Sequence, residues 1–473
     1  MNSKKIVLIG LFLVLILSFV LRLNPFFVGT LVDPDSYFHL RQSEKILETH
    51  SLVEFDDLSL QGRIFSYPVL FHIFFATLAE FSGLGLGFLI SFMPAVYGTF
   101  SVLLVFVFVR RIFGERIALL SAFSLSILLL HVLRTVSTRP DGLGLFIAPG
   151  IIFLIYLKHY KLAGLLVIPQ MLFHPLSTAV LLFFLIVLCI VFWFKKVDFN
   201  FRAVVGIIFT GLIVWLAWLF WLTLKGLSLD SYFSTVSFES VEAAKLTFLH
   251  IASYFSFNWI FFLVALVFFG WLFRRNLFFV VWLLSTFFVS IFALRLAIFF
   301  TVPGAILSGI GLSWVFANAG KYSKFFVLFL IVLLVVTVQP FIFGYDIDPN
   351  ISEQMAMVWL KENSLPSESI FAQWDQGHYL TYFAQRKVVM DGYFEFAHEL
   401  KERNSAIDEL ASTTNCQKIR TNVEKFSGNY FFVEARVLKS RAFLNGILDA
   451  KNCKGVSAVY ASEGAKIIEY EFA

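Results

Sequence analysis

The chain has 473 residues, of which 59% are hydrophobic and 15% charged, and its mean hydropathy is +0.82. Those values exclude an ordinary soluble enzyme and place the chain among polytopic membrane proteins with one polar appendage. The formal charge of +5 is modest, and the basic residues are scattered between apolar runs, which argues against nucleic acid as a partner.

In chain order, Lys4-Lys5 precedes an apolar run over 6–24 that lacks a small-x-small cleavage site, so it reads as a retained first span. Further runs at 88–109, 117–133, 143–157, 162–174, 176–194, 203–224, 257–273, 276–294, 296–317 and 325–343 approach crossing length. The expected fold is a polytopic α-helical membrane protein of about eleven spans, with an upper count of thirteen. On this count the clusters Lys4-Lys5, Arg110-Arg111, Lys158 with Lys161, Lys195-Lys196, Arg274-Arg275 and Lys321 with Lys324 fall on one side. The positive-inside rule makes that side cytoplasmic, with the amino terminus inside. Tyr67–Phe81, which holds His72 and Glu80, is expected to lie at the interface, because a crossing there would turn every later basic cluster outward.

The loops left on the outer face carry most of the reactive groups. In the first, Asp33-Pro34-Asp35-Ser36-Tyr37-Phe38-His39-Leu40-Arg41 sets two carboxylates before an amphipathic helix. Asp35 either caps that helix or holds a hard divalent cation. In the second, Arg134 and Arg139 stand outside against the charge bias, as phosphate ligands or as anchors to lipid headgroups. Asp141 follows as a cap or a metal ligand. His174 sits in a hairpin between two short spans; Glu239 and Glu242 occupy a later loop; Arg295 interrupts an apolar run and needs an anionic partner.

The polar region 344–473 is expected to be a small extracytoplasmic α/β domain, with residues 1–343 forming the transmembrane unit. It reads as a helix over Glu353–Glu362, a charged helix over Glu395–Leu410 and strands at Tyr430–Val433, Ser457–Tyr460 and Ile467–Tyr470. Within it, Gln373-Trp374-Asp375-Gln376-Gly377 forms a turn between an apolar run and a helical pattern. Cys416 and Cys453 both fall in this region and are able to pair there. No phosphate-binding glycine loop, zinc-ligand spacing or nucleophile elbow is present.

On these motifs the chain resembles the catalytic subunit of oligosaccharyltransferase, in its single-subunit archaeal and bacterial forms, within the C-type membrane glycosyltransferases. Asp35-Ser-Tyr-Phe-His-Leu-Arg41 is similar to the family's first-loop motif. Arg134-Thr-Val-Ser-Thr-Arg-Pro-Asp141 is similar to the second, where Gly142 and Leu143 stand in place of its further acid. Trp374-Asp375-x-Gly377 resembles the Trp-Trp-Asp-x-Gly signature, with Gln373 in place of the first tryptophan.

The resemblance implies transfer of a glycan en bloc from a polyprenyl or dolichyl (pyro)phosphate to Asn in Asn-x-Ser/Thr of exported proteins. It implies Mn²⁺ or Mg²⁺ as cofactor, Asp35 and Asp141 as ligands with His174 supplementing them, and Glu239 or Glu242 as a further catalytic acid. Arg134, Arg139 and Arg295 would meet the donor phosphate; Trp374, Asp375 and Gln373 would meet the acceptor polypeptide. Partners are then the lipid-linked oligosaccharide, the acceptor chain and membrane lipid, with no nucleic acid. Two alternatives stand beside it: a related enzyme using the same donor on a lipid, polymer or Ser/Thr, and a transporter of lipid-linked sugar.

Overall fold

The computed structural model describes residues 3–23, 31–226, 267, 269–322, 325, 349–393, 397–434 and 453–470. Apolar sequence without a charge to expose must satisfy its backbone internally, and most of the first two thirds is helical. The helices are α1 (Ser3–Arg22), α2 (Pro34–Thr49), α3 (Leu70–Ser82), α4 (Leu86–Phe113), α5 (Glu115–Ser126), α6 (Leu129–Val136), α7 (Pro140–Tyr156), α8 (Tyr160–Phe173), α9 (Pro175–Phe194), α10 (Phe201–Leu224), α11 (Phe269–Arg275), α12 (Leu277–Phe292) and α13 (Thr301–Asn318). A 3₁₀ segment, Leu294–Phe300, joins the last two.

Among the described residues, five helices are long and apolar enough to cross a membrane, or six if α5 and α6, bent by 60° at their junction, count as one span. The expectation of about eleven to thirteen spans is therefore overturned. Apolar sequence of near-crossing length does not specify an unbroken helix. The run at 117–133 breaks around Ile127-Leu128, and those at 143–157, 162–174 and 276–294 become helices of 17, 14 and 16 residues. The runs at 257–273 and 325–343 lie largely outside the described residues. Helix α3 is 13 residues long, about 20 Å, also short of a crossing.

Aromatic bulk packs the bundle. Phe108 of α4 meets Trp282 of α12 edge-on at 5.8 Å, and Phe278 of α12 meets Tyr156 at 5.4 Å and Phe184 at 5.7 Å. Helices α5 and α13 approach closely because Gly309 has no side chain, and a Cβ there would sit 2.6 Å from the Ser121 backbone nitrogen. The opposite faces of α1 and α10 expose Ile6, Phe12, Ile213 and Phe220, as lipid-facing surfaces do. The chain is an integral membrane protein.

The polar region begins with α14 (Ile351–Asn363), which opens on a capping box between Asn350 and Glu353. Strands β3 (Ser369–Phe371), β4 (Lys387–Val388), β5 (Gly428–Glu434), β6 (Val456–Ala461) and β7 (Ala465–Tyr470) form one mixed sheet in the order β4-β3-β5-β7-β6. The first three are parallel; β7 pairs antiparallel with β5 and β6, with Phe432 opposite Ile467. Helices α15 (Leu400–Ser412) and α16 (Cys416–Phe426) follow β4, and a disulfide joins Cys416 to Cys453.

This region shares a core with the first loop. Tyr37, Phe71 and Ile90 lie in the same apolar cluster as Ile370, Leu380 and Tyr430. The loop between the two-residue strands β1 (Phe55–Asp56) and β2 (Arg63–Ile64) also joins the sheet, through a parallel bridge from Ser59 to Val388.

Candidate active site at the meeting of the two loops

Asp33, not Asp35, caps α2: its Oδ1 accepts from the Ser36 backbone N–H at 3.0 Å. The Asp35 carboxylate turns toward the second loop instead. Ser36 ties the loops together, its hydroxyl accepting from the Thr138 N–H at 2.9 Å, and so brings Arg139 to the end of α2. Arg139 then lies among three carboxylates. Its Nη2 is 2.7 Å from Asp35 Oδ2, its Nη1 3.7 Å from Asp33 Oδ2 and its Nε 3.8 Å from Asp141 Oδ1. Arg134 Nη1 approaches Asp141 Oδ2 at 3.4 Å.

These carboxylates differ in access. The Asp35 side chain is 35% exposed, against 20% for Asp33 and 10% for Asp141, so Asp35 is the one best placed to touch a substrate. Burial raises the Asp33 carboxyl above its ordinary value, opposed by the Arg139 guanidinium and reinforced by the Asp35 charge.

The rotation of α6, which carries Arg134, is set from inside the bundle. Arg22, fully buried at the end of α1, donates from Nε to Thr135 Oγ1 at 2.6 Å and from Nη1 to the Ser18 carbonyl at 2.8 Å, and its Nη2 meets His131 Nδ1 at 2.8 Å. Hydroxyls, a carbonyl and an imidazole thereby replace water around this guanidinium.

The second loop also shows why a further acid is missing. Gly142 lies where a Cβ would come within 2.5 Å of the Arg134 carbonyl, and Leu143 is buried in the apolar cluster with Tyr97 and Phe173. Neither position has room or solvent for a carboxylate.

His174 caps α9, with Nδ1 2.5 Å from the Ser177 hydroxyl and 3.3 Å from its N–H. It lies within electrostatic reach of Asp141, Arg139, Arg134 and Arg295, which gathers the predicted cations and Asp141 around one place. Arg295 is the second residue of the 3₁₀ segment Leu294–Phe300. Glu239 and Glu242 lie outside the described residues.

The described residues do not fit a divalent ion as they stand. No group of three or more His, Cys, Asp or Glu side chains among them is close enough to hold one. Asp35 and Asp141 both face the Arg139 guanidinium, and Nδ1 of His174 serves the cap.

The polar region reaches the same place through the turn Trp374–Gln376 and the helical turn Gly377–Tyr379. Gly377 is required there because a Cβ would meet the Met390 carbonyl at 2.4 Å and Asp391 Cα at 2.5 Å. Trp374 is 41% exposed, while Gln373 and Asp375 are half-buried. Immediately after the turn, His378 presents Nε2 3.8 Å from Asp35 Oδ1 and Nδ1 3.9 Å from Asp391 Oδ2.

Sequence reasoning missed the support beneath this junction. Arg63 grips Asp391 with both terminal nitrogens and donates to Asp56, which Arg41 also holds at 2.9 and 3.1 Å. The Arg63 guanidinium lies 4.7 Å over the Tyr393 ring and donates to the Tyr393 carbonyl. Burial pushes the Asp56 and Asp391 carboxyls up, but the guanidiniums outweigh it and hold both below the usual range. Burial also pulls His378 down to about 4, against the pull of Asp391. Rings complete the contact: Tyr37 packs on Tyr379 at 5.3 Å and Phe38 on His378 at 5.0 Å. The one available signal was three charges, Asp56, Arg63 and Asp391, each beside apolar sequence; their pairing is not readable from the chain.

No family model matches the sequence, and no curated protein matches it. Solved structures do. The apo oligosaccharyltransferase of Archaeoglobus fulgidus is 14% identical and superposes with a TM-score of 0.68 over 99% of this chain and 75% of its own. That protein has also been solved with Zn and sulfate (15% identity, TM-score 0.67, 98% of this chain and 73% of its own), and with an inhibitory peptide and a dolichol-phosphate. ArnT of Cupriavidus metallidurans, in the apo state, is 13% identical with a TM-score of 0.61 over 99% of this chain and 98% of its own. The fold of this chain is thus similar to that of these two membrane enzymes.

Proposed function

We propose that the protein is a glycosyltransferase that moves a glycan en bloc from a polyprenyl or dolichyl (pyro)phosphate to the side-chain amide of Asn in Asn-x-Ser/Thr. The observation that carries this reading is the convergence on Asp35: an arginine from the second loop on one side and the helical turn after Trp374-Asp375-x-Gly377 on the other. A donor phosphate needs cations and an acceptor peptide needs an exposed recognition surface beside the attacking atom. Arg134, Arg139 and Arg295 supply the first; Trp374 and Asp375, with Gln373 beside them, supply the second.

In the reaction so read, the acceptor nitrogen bonds to the sugar's anomeric carbon as the bond from that carbon to the phosphate oxygen breaks. The phosphate leaves with the electron pair, and the arginines offset its charge. Asp35 accepts an N–H of the amide and takes its proton, with Asp141 holding Arg134. Glu239 or Glu242 is assigned a similar accepting role. Lys4-Lys5 favour a cytoplasmic amino terminus, and the region after 343, which packs on the first loop, is read as the extracytoplasmic domain.

A second reading keeps the donor and changes the acceptor to a lipid, polymer or hydroxyl. Gln373 favours it, because a single exposed tryptophan offers half the aromatic surface of the paired signature.

The test incubates purified protein, in lipid nanodiscs with divalent metal present, with lipid-linked oligosaccharide and a fluorescent Asn-x-Thr peptide, beside a Gln control peptide. Glycan attached to the Asn peptide alone, lost in Asp35→Asn, is the expected result. Donor consumed with neither peptide modified would replace the first reading by the second.

A further inference from the structure

We infer that Arg139 is the resident cation of the carboxylate cluster and excludes a divalent ion from it until its side chain withdraws. The inference builds on reading this cluster as the phosphate end of a glycosyltransferase site. A metal ion bound by Asp35 and Asp141 needs carboxylate oxygens from both at about 2.0–2.6 Å. Here the space between those oxygens holds a guanidinium, with Nη2 2.7 Å from Asp35 and Nε 3.8 Å from Asp141. Its Nη1 faces Asp33 as well, so one planar group addresses three acids.

An arginine is charged at every working pH, so no proton loss removes it from this position. Withdrawal takes a rotation of the side chain toward another anion. The backbone is fixed independently, since the Thr138 N–H is held by Ser36 and Tyr97 donates to the Ser137 carbonyl at 3.1 Å. The guanidinium can therefore move without moving the loop. The same charge arithmetic sets the competition: without Arg139 the acids lose the guanidinium that faces all three of them, and the site's attraction for a divalent ion rises.

Two measurements on the full-length protein in nanodiscs test this, neither depending on glycan transfer. First, Mn²⁺ binding is titrated by electron paramagnetic resonance for the wild type and Arg139→Gln, with the melting temperature of each recorded. The variant is expected to bind Mn²⁺ tighter by about tenfold or more. Equal or weaker binding by a variant that melts with the wild type overturns the inference. Second, phenylglyoxal labelling of Arg139 in the wild type is followed by mass spectrometry with and without saturating Mn²⁺. Labelling that rises with the metal supports displacement of the guanidinium; unchanged or reduced labelling overturns it, including where the variant does not fold. Failure of the glycosylation assay with both results positive would leave Arg139 in this role and change only the reaction assigned.

Discussion

Arg63 and Asp391 face each other as a two-pronged pair, Nη1 to Oδ1 at 2.8 Å and Nη2 to Oδ2 at 2.7 Å, across 328 residues of chain. Both side chains are almost wholly removed from solvent. The pair pins the polar region to the first loop beside Asp35. Arg63→Met is expected to destabilise the protein by about 3–5 kcal/mol, because it strands the buried Asp391 without a guanidinium and leaves Asp56 to Arg41 alone. Adding Asp391→Leu should recover part of that loss. Denaturant unfolding of the single and double variants measures both; equal stability of Arg63→Met and wild type would show the pair to be dispensable.

Acid should loosen the same junction. His378 is held near 4, below the ordinary histidine value of about 6.5 in an unfolded chain. Between those values the unfolded chain binds a proton that the folded one refuses, so stability is complete above about pH 6.5 and falls as pH drops toward 4. The loss approaches 1.36 kcal/mol per unit across that window for a group so buried. His378→Asn should flatten the fall between pH 6.5 and 4, read from melting temperature against pH. Below this window Asp391 and Asp56, both depressed, add a further loss as they protonate.

Gly377→Ala places a methyl group 2.4 Å from the Met390 carbonyl, so the turn carrying Trp374 and Asp375 must shift. We expect about 1–3 kcal/mol of destabilisation and a raised KM for acceptor peptide. Unchanged peptide KM in a folded variant would separate this turn from acceptor binding.

The Cys416–Cys453 disulfide closes 37 residues of chain. Chain entropy makes a loop of that length worth about 4 kcal/mol, so Cys416→Ser with Cys453→Ser should lower stability by about 2–4 kcal/mol. Urea unfolding of the oxidised and double-serine proteins compares them; equal midpoints would leave the bridge without a stabilising role.

Several features were legible in the chain because they depend on local chemistry. The apolar runs announced a membrane protein, and β-branched and aromatic stretches at Tyr430–Val433 and Ile467–Tyr470 lie in strands β5 and β7. Cys416 and Cys453 stood out as two cysteines of one polar region that are able to pair, and a disulfide joins them. Asp35, Arg139 and Asp141 stood out as charges at the edges of apolar runs, where ionised groups are costly unless used.

What the fold decided was which charges meet. Asp33 rather than Asp35 became the cap because only its oxygen reaches the Ser36 N–H, and this turned Asp35 toward Arg139. The span count fell because hydropathy registers apolar length but not where a helix breaks, as at Ile127-Leu128. Arg63, His378 and Asp391 each read as an ordinary polar residue in isolation. Their role comes from burial and from partners hundreds of residues away, and a one-dimensional pattern carries neither the dielectric around a charge nor the identity of its distant neighbour.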